Sequence, residues 1–288
     1  MSGHDGRFAP SPTGTLHLGN LRTALLAWLF ARSQEARFLV RIEDLDTGRV
    51  RERFVEEQLR DLAALGLDWD EPPVRQSTRT ARYAEAVQAL GDRVFPCWCT
   101  RAEVRAAASA PHGERPEGAY PGTCRRLTAA QAAARERSGR APALRVAAAG
   151  ERVAFTDRLH GPVERVLDDF VVRRGDGAYA YNLATAYDDA AQGIGEVVRG
   201  DDLLGTTPRQ VWVLRALGLP EPTYAHVPLV LDAAGRRMAK RDAGVTLRGR
   251  DPDEVRGELA ASVGLCAPGE RPTAAELAAR FRPGALAP

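Results

Sequence analysis

The chain has 288 residues, of which 44% are hydrophobic and 27% charged, and its formal net charge is +2. This length suits one large domain or two modest ones. The small net charge neither requires nor excludes a nucleic-acid partner. No apolar run is long enough to cross a bilayer, which excludes a membrane span, and the N-terminus lacks an apolar signal segment, so a cytoplasmic location is expected.

The basic residues are almost all arginine, since Lys240 is the only lysine among 40 basic residues. Met, Asn and Ile are also scarce, whereas Ala, Arg, Gly and Pro are abundant, as a GC-rich coding bias would produce. Under such a bias, residues with AT-rich codons tend to survive where the side chain cannot be replaced. The survivors beyond the initiator are Asn20, Ile42, Asn182, Ile194, Met238 and Lys240.

The first part of the chain predicts a βαβ unit. Residues 7–14 predict the edge of a short strand followed by a loop rich in Pro and Gly. Apolar residues at helical spacing then predict a helix over 20–32. Residues 38–42 form a compact apolar strand, and residues 49–66 form an amphipathic helix. This order indicates a parallel sheet with a crossover connection.

The rest of the chain changes character twice. Cysteines, an Ala/Arg-rich helix and a Gly/Pro-rich stretch occupy about 95–150. Further elements are then predicted in this order: strand-like patterning over 168–189, a strand over 194–199, a helix over 207–217, a strand over 226–231, a loop over 232–242, and helices over 251–264 and 273–281.

The predicted fold class is α/β, with a Rossmann-type nucleotide-binding domain in two halves, residues 1–94 and 181–245. An inserted subdomain, residues 95–180, interrupts it. Residues 246–288 form a short helical tail.

Residues 10–20, with the sequence PSPTGTLHLGN, lead into the first helix. Glycine lets the backbone approach a nucleotide, and a helix N-terminus favours phosphate. His17 could donate to the phosphates in a transition state without carrying a permanent charge. Taken alone, however, a loop histidine beside an N-cap asparagine is more often structural.

Residues 237–241, with the sequence RMAKR, lie in a loop after a predicted strand. When a carboxylate attacks the α-phosphate of ATP, the growing charge on pyrophosphate needs a cation, and a lysine supplies a compact one on a flexible stem. An ordinary basic surface loop is the alternative. The only lysine, Lys240, lies beside the only internal methionine, Met238, and this favours function.

Together these segments resemble the HIGH and KMSKS signatures of class I aminoacyl-tRNA synthetases. Five stretches are similar to the glutamyl branch of that family, in the family's order: 7–14, 17–24, 41–44, 181–184 and 198–201. The resemblance extends over about 5–245. It implies activation of L-glutamate to glutamyl-adenylate by ATP with Mg²⁺. The chain departs from the usual signatures at Asn20, Arg237 and Ala239.

The resemblance also assigns roles to individual residues. His17 and Lys240 are the expected catalytic residues. The residues expected to bind ATP are Pro10, Thr13, Gly14, His17, Gly19, Asn20, Met238 and Lys240. The residues expected to bind glutamate are Arg7, Ser11, Glu43, Tyr181 and Arg199.

These residue types suit glutamate. Arg7 and Arg199 can hold carboxylates bidentately. Glu43 can hold the ammonium group, and Ser11 and Tyr181 supply neutral hydrogen bonds. Which arginine takes which carboxylate stays open, and without the resemblance an Arg7–Glu43 structural ion pair would be the default interpretation.

Cys97, Cys99 and Cys124 place three thiols in one segment, which in a cytosolic protein favours zinc over disulfides. From chemistry alone, His112 is the natural fourth ligand. The glutamyl-type pattern C-x-C…Y-x-x-x-C implies Tyr120 instead. The resemblance implies one structural Zn²⁺ and no zinc-activated water.

Only residues 242–288 follow Arg241, too few for the anticodon-binding domain of a glutamyl-tRNA synthetase. Together with the cysteine pattern, this resembles shortened paralogs in the family that activate glutamate without tRNA and transfer it to queuosine at the wobble position of tRNA(Asp). The implied partners are ATP, L-glutamate and the queuosine-carrying anticodon arm, recognised by shape, backbone and modified base. A monomer is expected.

Two alternatives remain open. The chain could be a shortened synthetase that charges a tRNA 3′ end. It could also be a catalytically idle, zinc-containing RNA-binding module derived from a synthetase. The intact set His17, Glu43, Tyr181, Arg199 and Lys240 speaks against the idle module.

Overall fold

The structure, a computed structural model, describes residues 3–100, 102–104, 120–229 and 246–286. His112, Met238 and Lys240 lie outside these residues, so what the sequence predicts for them stays a prediction. Within the described ranges, no helix has both the length and the apolar character needed to span a membrane.

The described residues form ten strands and eight α-helices. The strands are β1 (Gly6–Phe8), β2 (Phe38–Ile42), β3 (Val74–Arg75), β4 (Val94–Cys97), β5 (Ala143–Val146), β6 (Arg152–Asp157), β7 (Gly161–Val166), β8 (Val171–Arg173), β9 (Glu196–Gly200) and β10 (Thr223–Val227). The helices are α1 (Leu18–Arg32), α2 (Glu52–Ala64), α3 (Thr80–Ala89), α4 (Ala129–Glu136), α5 (Tyr181–Ala191), α6 (Thr207–Ala216), α7 (Pro252–Ala261) and α8 (Ala274–Arg280).

Two groups of strands meet at the centre of the molecule. β1, β2 and β3 form a parallel sheet, which confirms the predicted βαβ unit. β9, β10 and β6 are also parallel, with β7 as an antiparallel edge. The amides of Gly195 and Glu196 both donate to the carbonyl of Asp5, at 2.9 and 3.1 Å, and so join β9 to β1. The carboxyl ends of β1 and β9 therefore lie together, where open α/β sheets bind ligands.

A third sheet, antiparallel β4-β5-β8, lies within the predicted insertion over 95–180. The β6–β7 hairpin also lies in that range, yet β6 pairs with β10 through Asp157 and Tyr224. The hairpin is therefore part of the sheet formed by the second half of the chain.

The strand-like pattern over 168–189 matches β8 but is wrong from residue 181 onward, where helix α5 begins. Leu183, Ala184 and Ala186 are buried in the same hydrophobic cluster as residues of α6, so tertiary packing favours the helix. The same helix buries two carboxylates, Asp188 and Asp189.

The tail packs back onto the first helix. α7 and α8 both contact α1, and the rings of Phe281 and Phe30 lie 5.1 Å apart. The buried guanidinium of Arg256 donates to the carbonyl of Leu65 at 3.3 Å and to that of Pro272 at 2.7 Å. Residues 252–281 therefore belong to the main hydrophobic core.

Thr273 caps α8, because its hydroxyl accepts the amide of Glu276 at 3.2 Å. Thr273→Ala is expected to lower the free energy of unfolding by about 1 kcal/mol, since α8 buries Leu277 in the core. Thr128 caps α4 with Gln131 in the same way, but no residue of α4 is buried. Thr128→Ala should therefore cost less in urea denaturation; equal losses would contradict the tail's place in the core.

Candidate active site

A cavity of about 300 Å³ opens where the carboxyl ends of β1 and β9 meet the amino end of α1. Ligand pockets commonly have at least this volume. Ten of the residues predicted to bind glutamate or ATP line this cavity: Arg7, Pro10, Ser11, Gly14, His17, Gly19, Asn20, Glu43, Tyr181 and Arg199. Thr13 is described but does not line it, and Met238 and Lys240 lie outside the described residues.

His17 is the N-cap residue of α1. Its Nδ1 accepts the amide of Asn20 at 3.3 Å, and the Asn20 side chain accepts the amide of His17 at 3.4 Å, which makes a reciprocal capping box. Because Nδ1 is an acceptor, a neutral imidazole carries its proton on Nε2. The ring is thus held as a neutral donor at the end of a helix that favours phosphate.

The loop before His17 is held by Gln58 of α2. The Gln58 amide donates to the carbonyl of Gly14 at 2.8 Å and to that of Ser11 at 3.3 Å. These two bonds fix the backbone that would approach a nucleotide.

Arg7 lies on β1 and is held by Asp189 of α5. Its Nε and Nη2 donate to the two oxygens of that carboxylate, each at 3.1 Å, and Arg41 Nη1 donates to the same group at 2.7 Å. Burial alone would raise the pKa of Asp189, but Arg41 and Arg7 lower it below its usual value. The structure therefore pairs Arg7 with Asp189. The default interpretation had instead paired Arg7 with Glu43.

Glu43 follows β2 and faces the same cavity. Its carboxylate accepts the hydroxyl of Thr185 at 2.9 Å and lies 3.5 Å from Arg41 Nη2. Burial raises the pKa of Glu43 above its usual value, although Arg41 and Arg7 oppose the shift. Glu43 therefore takes up a proton at a higher pH than an exposed glutamate does.

If Glu43 holds the ammonium group of glutamate, as the sequence predicts, the affinity for glutamate should fall as the pH falls through the raised pKa of Glu43. The reason is that a protonated carboxyl cannot hold an ammonium group. The KM for glutamate in ATP–pyrophosphate exchange, measured from pH 8 downward, checks this. Glu43→Gln is the matched control, because its residue 43 cannot titrate. Its KM should be high and should lack the pH dependence that comes from Glu43. Any titration of the substrate itself is common to both proteins and cancels in the comparison. Parallel profiles would contradict the assignment.

Arg199 lies on β9, and its buried guanidinium is held on several sides. Nη1 donates to the hydroxyl of Tyr181 at 3.4 Å and Nη2 to that of Thr207 at 2.7 Å. Two guanidinium groups, Arg7 and Arg199, and one carboxylate, Glu43, thus line one cavity. This charge pattern complements a dicarboxylate that carries an ammonium group.

Seven residues that hold these side chains in place were not assigned a role from the sequence: Arg41, Gln58, Asp157, Thr185, Asp189, Thr207 and His226. One signal was available for Asp189. Two adjacent acids, Asp188 and Asp189, occur in an otherwise largely uncharged stretch and need cationic partners once they are buried.

The sulfur atoms of Cys97, Cys99 and Cys124 lie within 4.8 Å of one another, and all three are free thiols. The hydroxyl of Tyr120 lies 3.4 Å from Cys97 Sγ and accepts the amide of Cys124 at 2.7 Å. Three converging thiols offer the thiolate ligands that a structural zinc site uses, and the phenol oxygen of Tyr120 lies beside them. His112, the other predicted ligand, lies outside the described residues.

A second, larger cavity of about 1250 Å³ shares Ser11, Glu43 and Tyr181 with the first and reaches Cys99. Four arginines line it: Arg49, Arg140, Arg145 and Arg174. Three acids, Glu43, Asp46 and Asp176, line it as well, and Arg49 and Arg174 are ion-paired with Asp46 and Asp176. The smaller cavity therefore opens onto a wide cleft of mixed charge between the α/β core and the β4-β5-β8 sheet.

Known proteins match both the sequence and this fold. Residues 5–256 match the family described as tRNA synthetases class I (E and Q), catalytic domain. A crystal structure of a glutamate tRNA ligase from Elizabethkingia meningosepticum, in complex with its amino acid, superposes with a TM-score of 0.83 at 26% identity; the match covers 98% of this chain and 65% of that one. The fold is thus the α/β catalytic domain of a class I tRNA synthetase.

Relatives of similar length are more similar in sequence. One from Nocardia farcinica is 54% identical over 99% of this chain and 91% of its own length. One from Symbiobacterium thermophilum is 50% identical over 90% of this chain and 86% of its own length. Both carry the name glutamyl-Q tRNA(Asp) synthetase. The chain therefore belongs to the glutamyl-Q tRNA(Asp) synthetase family, which confirms the resemblance to the glutamyl branch.

Proposed function

We propose that the chain activates L-glutamate with Mg²⁺–ATP, without tRNA, and transfers the glutamyl group to queuosine at the wobble position of tRNA(Asp). One observation carries the first half of the proposal: Arg7, Arg199 and Glu43 line the same cavity as the His17 end of α1. Glutamate has two carboxylates for the arginines and an ammonium group for Glu43, while the helix end and glycine-containing loop suit ATP phosphates.

In the first step, an oxygen of the glutamate α-carboxylate attacks the α-phosphorus of ATP. The bond between that phosphorus and the oxygen that bridges the α- and β-phosphates breaks, and pyrophosphate leaves with Mg²⁺. The Nε2–H of His17 donates to the phosphoryl oxygens as charge grows on them. Lys240 stabilises the departing pyrophosphate, and Pro10, Thr13, Gly14, Gly19, Asn20 and Met238 complete the ATP site.

In the second step, a hydroxyl of the queuosine cyclopentene ring attacks the activated carbonyl. An ester forms, the bond to AMP breaks, and the hydroxyl proton is released to solvent. The larger cavity supports this acceptor, because it shares Ser11, Glu43 and Tyr181 with the amino-acid site. Arg140 and Arg145 also line it and suit a phosphate backbone, whereas its other two arginines are ion-paired with acids of the same cavity. No covalent enzyme intermediate is needed.

Cys97, Cys99, Cys124 and Tyr120 would hold one Zn²⁺, whose role is to stabilise the fold of the β4-β5-β8 region. Residues 95–180 form the proposed acceptor-binding insertion between catalytic halves 1–94 and 181–245, although the β6–β7 hairpin within this range joins the sheet of the second half. The enzyme is proposed to be a monomer. The cysteine cluster lies at the wall of the larger cavity through Cys99, which supports a role in shaping the acceptor site.

Lys240→Arg keeps the charge but replaces a compact ammonium by a planar fork, so it should lower kcat for adenylate formation roughly tenfold. Single-turnover adenylate formation checks this. Arg241→Lys, which changes the neighbouring basic residue, is the control and should leave the rate nearly unchanged. An unaltered rate in Lys240→Arg would contradict a specific role for the only lysine.

ATP–pyrophosphate exchange tests the first half of the proposal. Exchange that requires glutamate and proceeds without tRNA is the expected result. Absence of exchange would contradict the enzyme and favour the idle RNA-binding module. Exchange that appears only when tRNA is added would favour a shortened glutamyl-tRNA synthetase.

A further inference from the structure

We propose that Asp157 and His226 are positioning residues that orient the guanidinium of Arg199 toward a substrate carboxylate. This inference rests on the proposed function, in which Arg199 binds glutamate. Neither residue lines the amino-acid cavity, so both would act only through Arg199.

Three neighbouring strands bring these side chains into one row. β6, β10 and β9 are adjacent, and His226 of β10 is the register partner of Arg199 on β9. Asp157 is the last residue of β6. Asp157, His226 and Arg199 thus lie side by side across three strands, near the carboxyl end of β9 that lines the cavity.

The hydrogen bonds along the row are continuous. His226 Nδ1 lies 2.6 Å from Asp157 Oδ2, and Arg199 Nε donates to His226 Nε2 at 3.1 Å. Thr207, the first residue of α6, accepts Arg199 Nη2 at 2.7 Å. One edge of the guanidinium is therefore fixed by a ring nitrogen and a hydroxyl.

This geometry sets the proton on the imidazole. Nε2 faces a guanidinium N–H and must accept, so the ring proton lies on Nδ1 and is donated to the Asp157 carboxylate. The backbone amides of Leu159 and His160 also donate to Asp157, each at 3.0 Å, and hold the carboxylate in place.

The environment keeps the imidazole neutral. His226 is fully buried, and its burial, reinforced by the nearby charge of Arg199, lowers its pKa although Asp157 opposes the shift. Burial alone would raise the pKa of Asp157, but the hydrogen bond from His226 and the backbone amides lower it. A carboxylate, a neutral imidazole and a guanidinium therefore stand in line, with each donor matched by an acceptor.

The pairing also explains why Arg199 faces the cavity. Nε and Nη2 are bound on the protein side, so the guanidinium turns its Nη1 edge toward Tyr181 and the cavity. A guanidinium held in this way loses less freedom when it binds a carboxylate, and such preorganisation strengthens binding.

ATP–pyrophosphate exchange of the full chain tests the proposal. His226→Phe keeps a ring of similar size but removes the ring's hydrogen bonds to Asp157, Arg199 and Thr207. It should raise the KM for glutamate roughly tenfold or more, as loss of one bond to a charged group does, and should leave the KM for ATP within about twofold. His160→Phe is the matched control. The His160 ring meets only the backbone carbonyl of His226, at 3.0 Å, and the substitution keeps the backbone amide that donates to Asp157, so the KM for glutamate should not change.

A second pair of variants tests the same positioning role without changing His226, in case His226→Phe fails to fold. These variants are Thr207→Val and Thr207→Ser. Valine has nearly the shape of threonine but no acceptor, so it should raise the KM for glutamate; serine keeps the hydroxyl and should restore it. A rise in KM for both substrates alike, or an unchanged KM for glutamate in both His226→Phe and Thr207→Val, would overturn the positioning role.

The ¹⁵N NMR signals of the His226 ring in the unaltered chain give a readout that needs no activity. A protonated Nδ1 and a bare Nε2 are expected, and the opposite tautomer or an imidazolium near neutral pH would overturn the proposal. Absence of glutamate-dependent exchange in the unaltered chain, together with the expected tautomer, would instead contradict the proposed function while leaving the Asp157–His226–Arg199 geometry intact.

Discussion

Arg199→Met should raise the KM for glutamate about 100-fold or more, because a bidentate guanidinium–carboxylate pair supplies two charge-assisted hydrogen bonds of about 1.5–3 kcal/mol each. The KM for ATP should change little, since Arg199 belongs to the amino-acid side of the cavity. Steady-state ATP–pyrophosphate exchange with each substrate varied in turn measures both constants.

Arg199→Lys is the informative intermediate, because it keeps the positive charge but loses the planar fork. Its KM for glutamate should fall between those of the unaltered chain and Arg199→Met. Arg165→Met serves as a surface control, since Arg165 lies on the exposed side of the β6–β7 hairpin and should have no effect. A KM for glutamate that is the same in Arg199→Met and the unaltered chain would contradict the carboxylate assignment.

His17→Asn should lower kcat for adenylate formation about 100- to 1000-fold, as removal of one transition-state donor does. The substitution separates two roles that the structure combines in one residue. Asparagine is a favourable N-cap, so helix α1 keeps its cap, but the Nε2–H donor of the imidazole is lost. Single-turnover adenylate formation and urea denaturation of the same variant measure the two roles independently.

His17→Ala is the companion variant, because it removes the cap as well as the donor. It should show the same loss of kcat and a further loss of about 1 kcal/mol in the free energy of unfolding. If His17→Asn retained its kcat, His17 would have a structural role only. Its sequence context, taken alone, favours a structural loop histidine beside an N-cap asparagine, but in the structure His17 itself is the N-cap and Asn20 is at N3.

The parts of the fold that the sequence predicts are those decided by local pattern. The first helix, the strands at 38–42 and 194–199, and the two tail helices all appear close to their predicted limits. Residues 181–189 show where local pattern fails, because buried Asp188 and Asp189 interrupt the apolar spacing. Their burial is decided by Arg41 and Arg79, over a hundred residues away along the chain.

The candidate site also combines residues that the sequence predicts with residues that it does not. His17, Glu43 and Arg199 could be singled out because each lies in a stretch similar to a known family. Their supporting residues could not, because the bonds are long-range: Arg7 and Asp189 are 182 positions apart, and Arg199 meets His226 through strand register. A single sequence does not specify such pairings before the sheet is built.

The structure describes four of the six rare residues, Asn20, Ile42, Asn182 and Ile194, and explains three of them. Asn20 completes the capping box of His17, so its side chain has a specific partner. Ile42 and Ile194 are buried in the two large hydrophobic clusters, and packing explains their retention. Nothing in the structure explains Asn182, whose side-chain oxygen is buried without a hydrogen-bond partner among the described residues.

Transfer of labelled glutamate to tRNA(Asp), prepared with and without queuosine, tests the central claim most directly. Each preparation should be used with its 3′ end free and with that end blocked, so that ordinary charging can be recognised. We expect labelled glutamate on the queuosine-containing tRNA, with AMP released as the label is transferred. We expect no label on the unmodified tRNA. Equal labelling of both tRNAs, or labelling that requires a free 3′ end, would contradict queuosine as the acceptor.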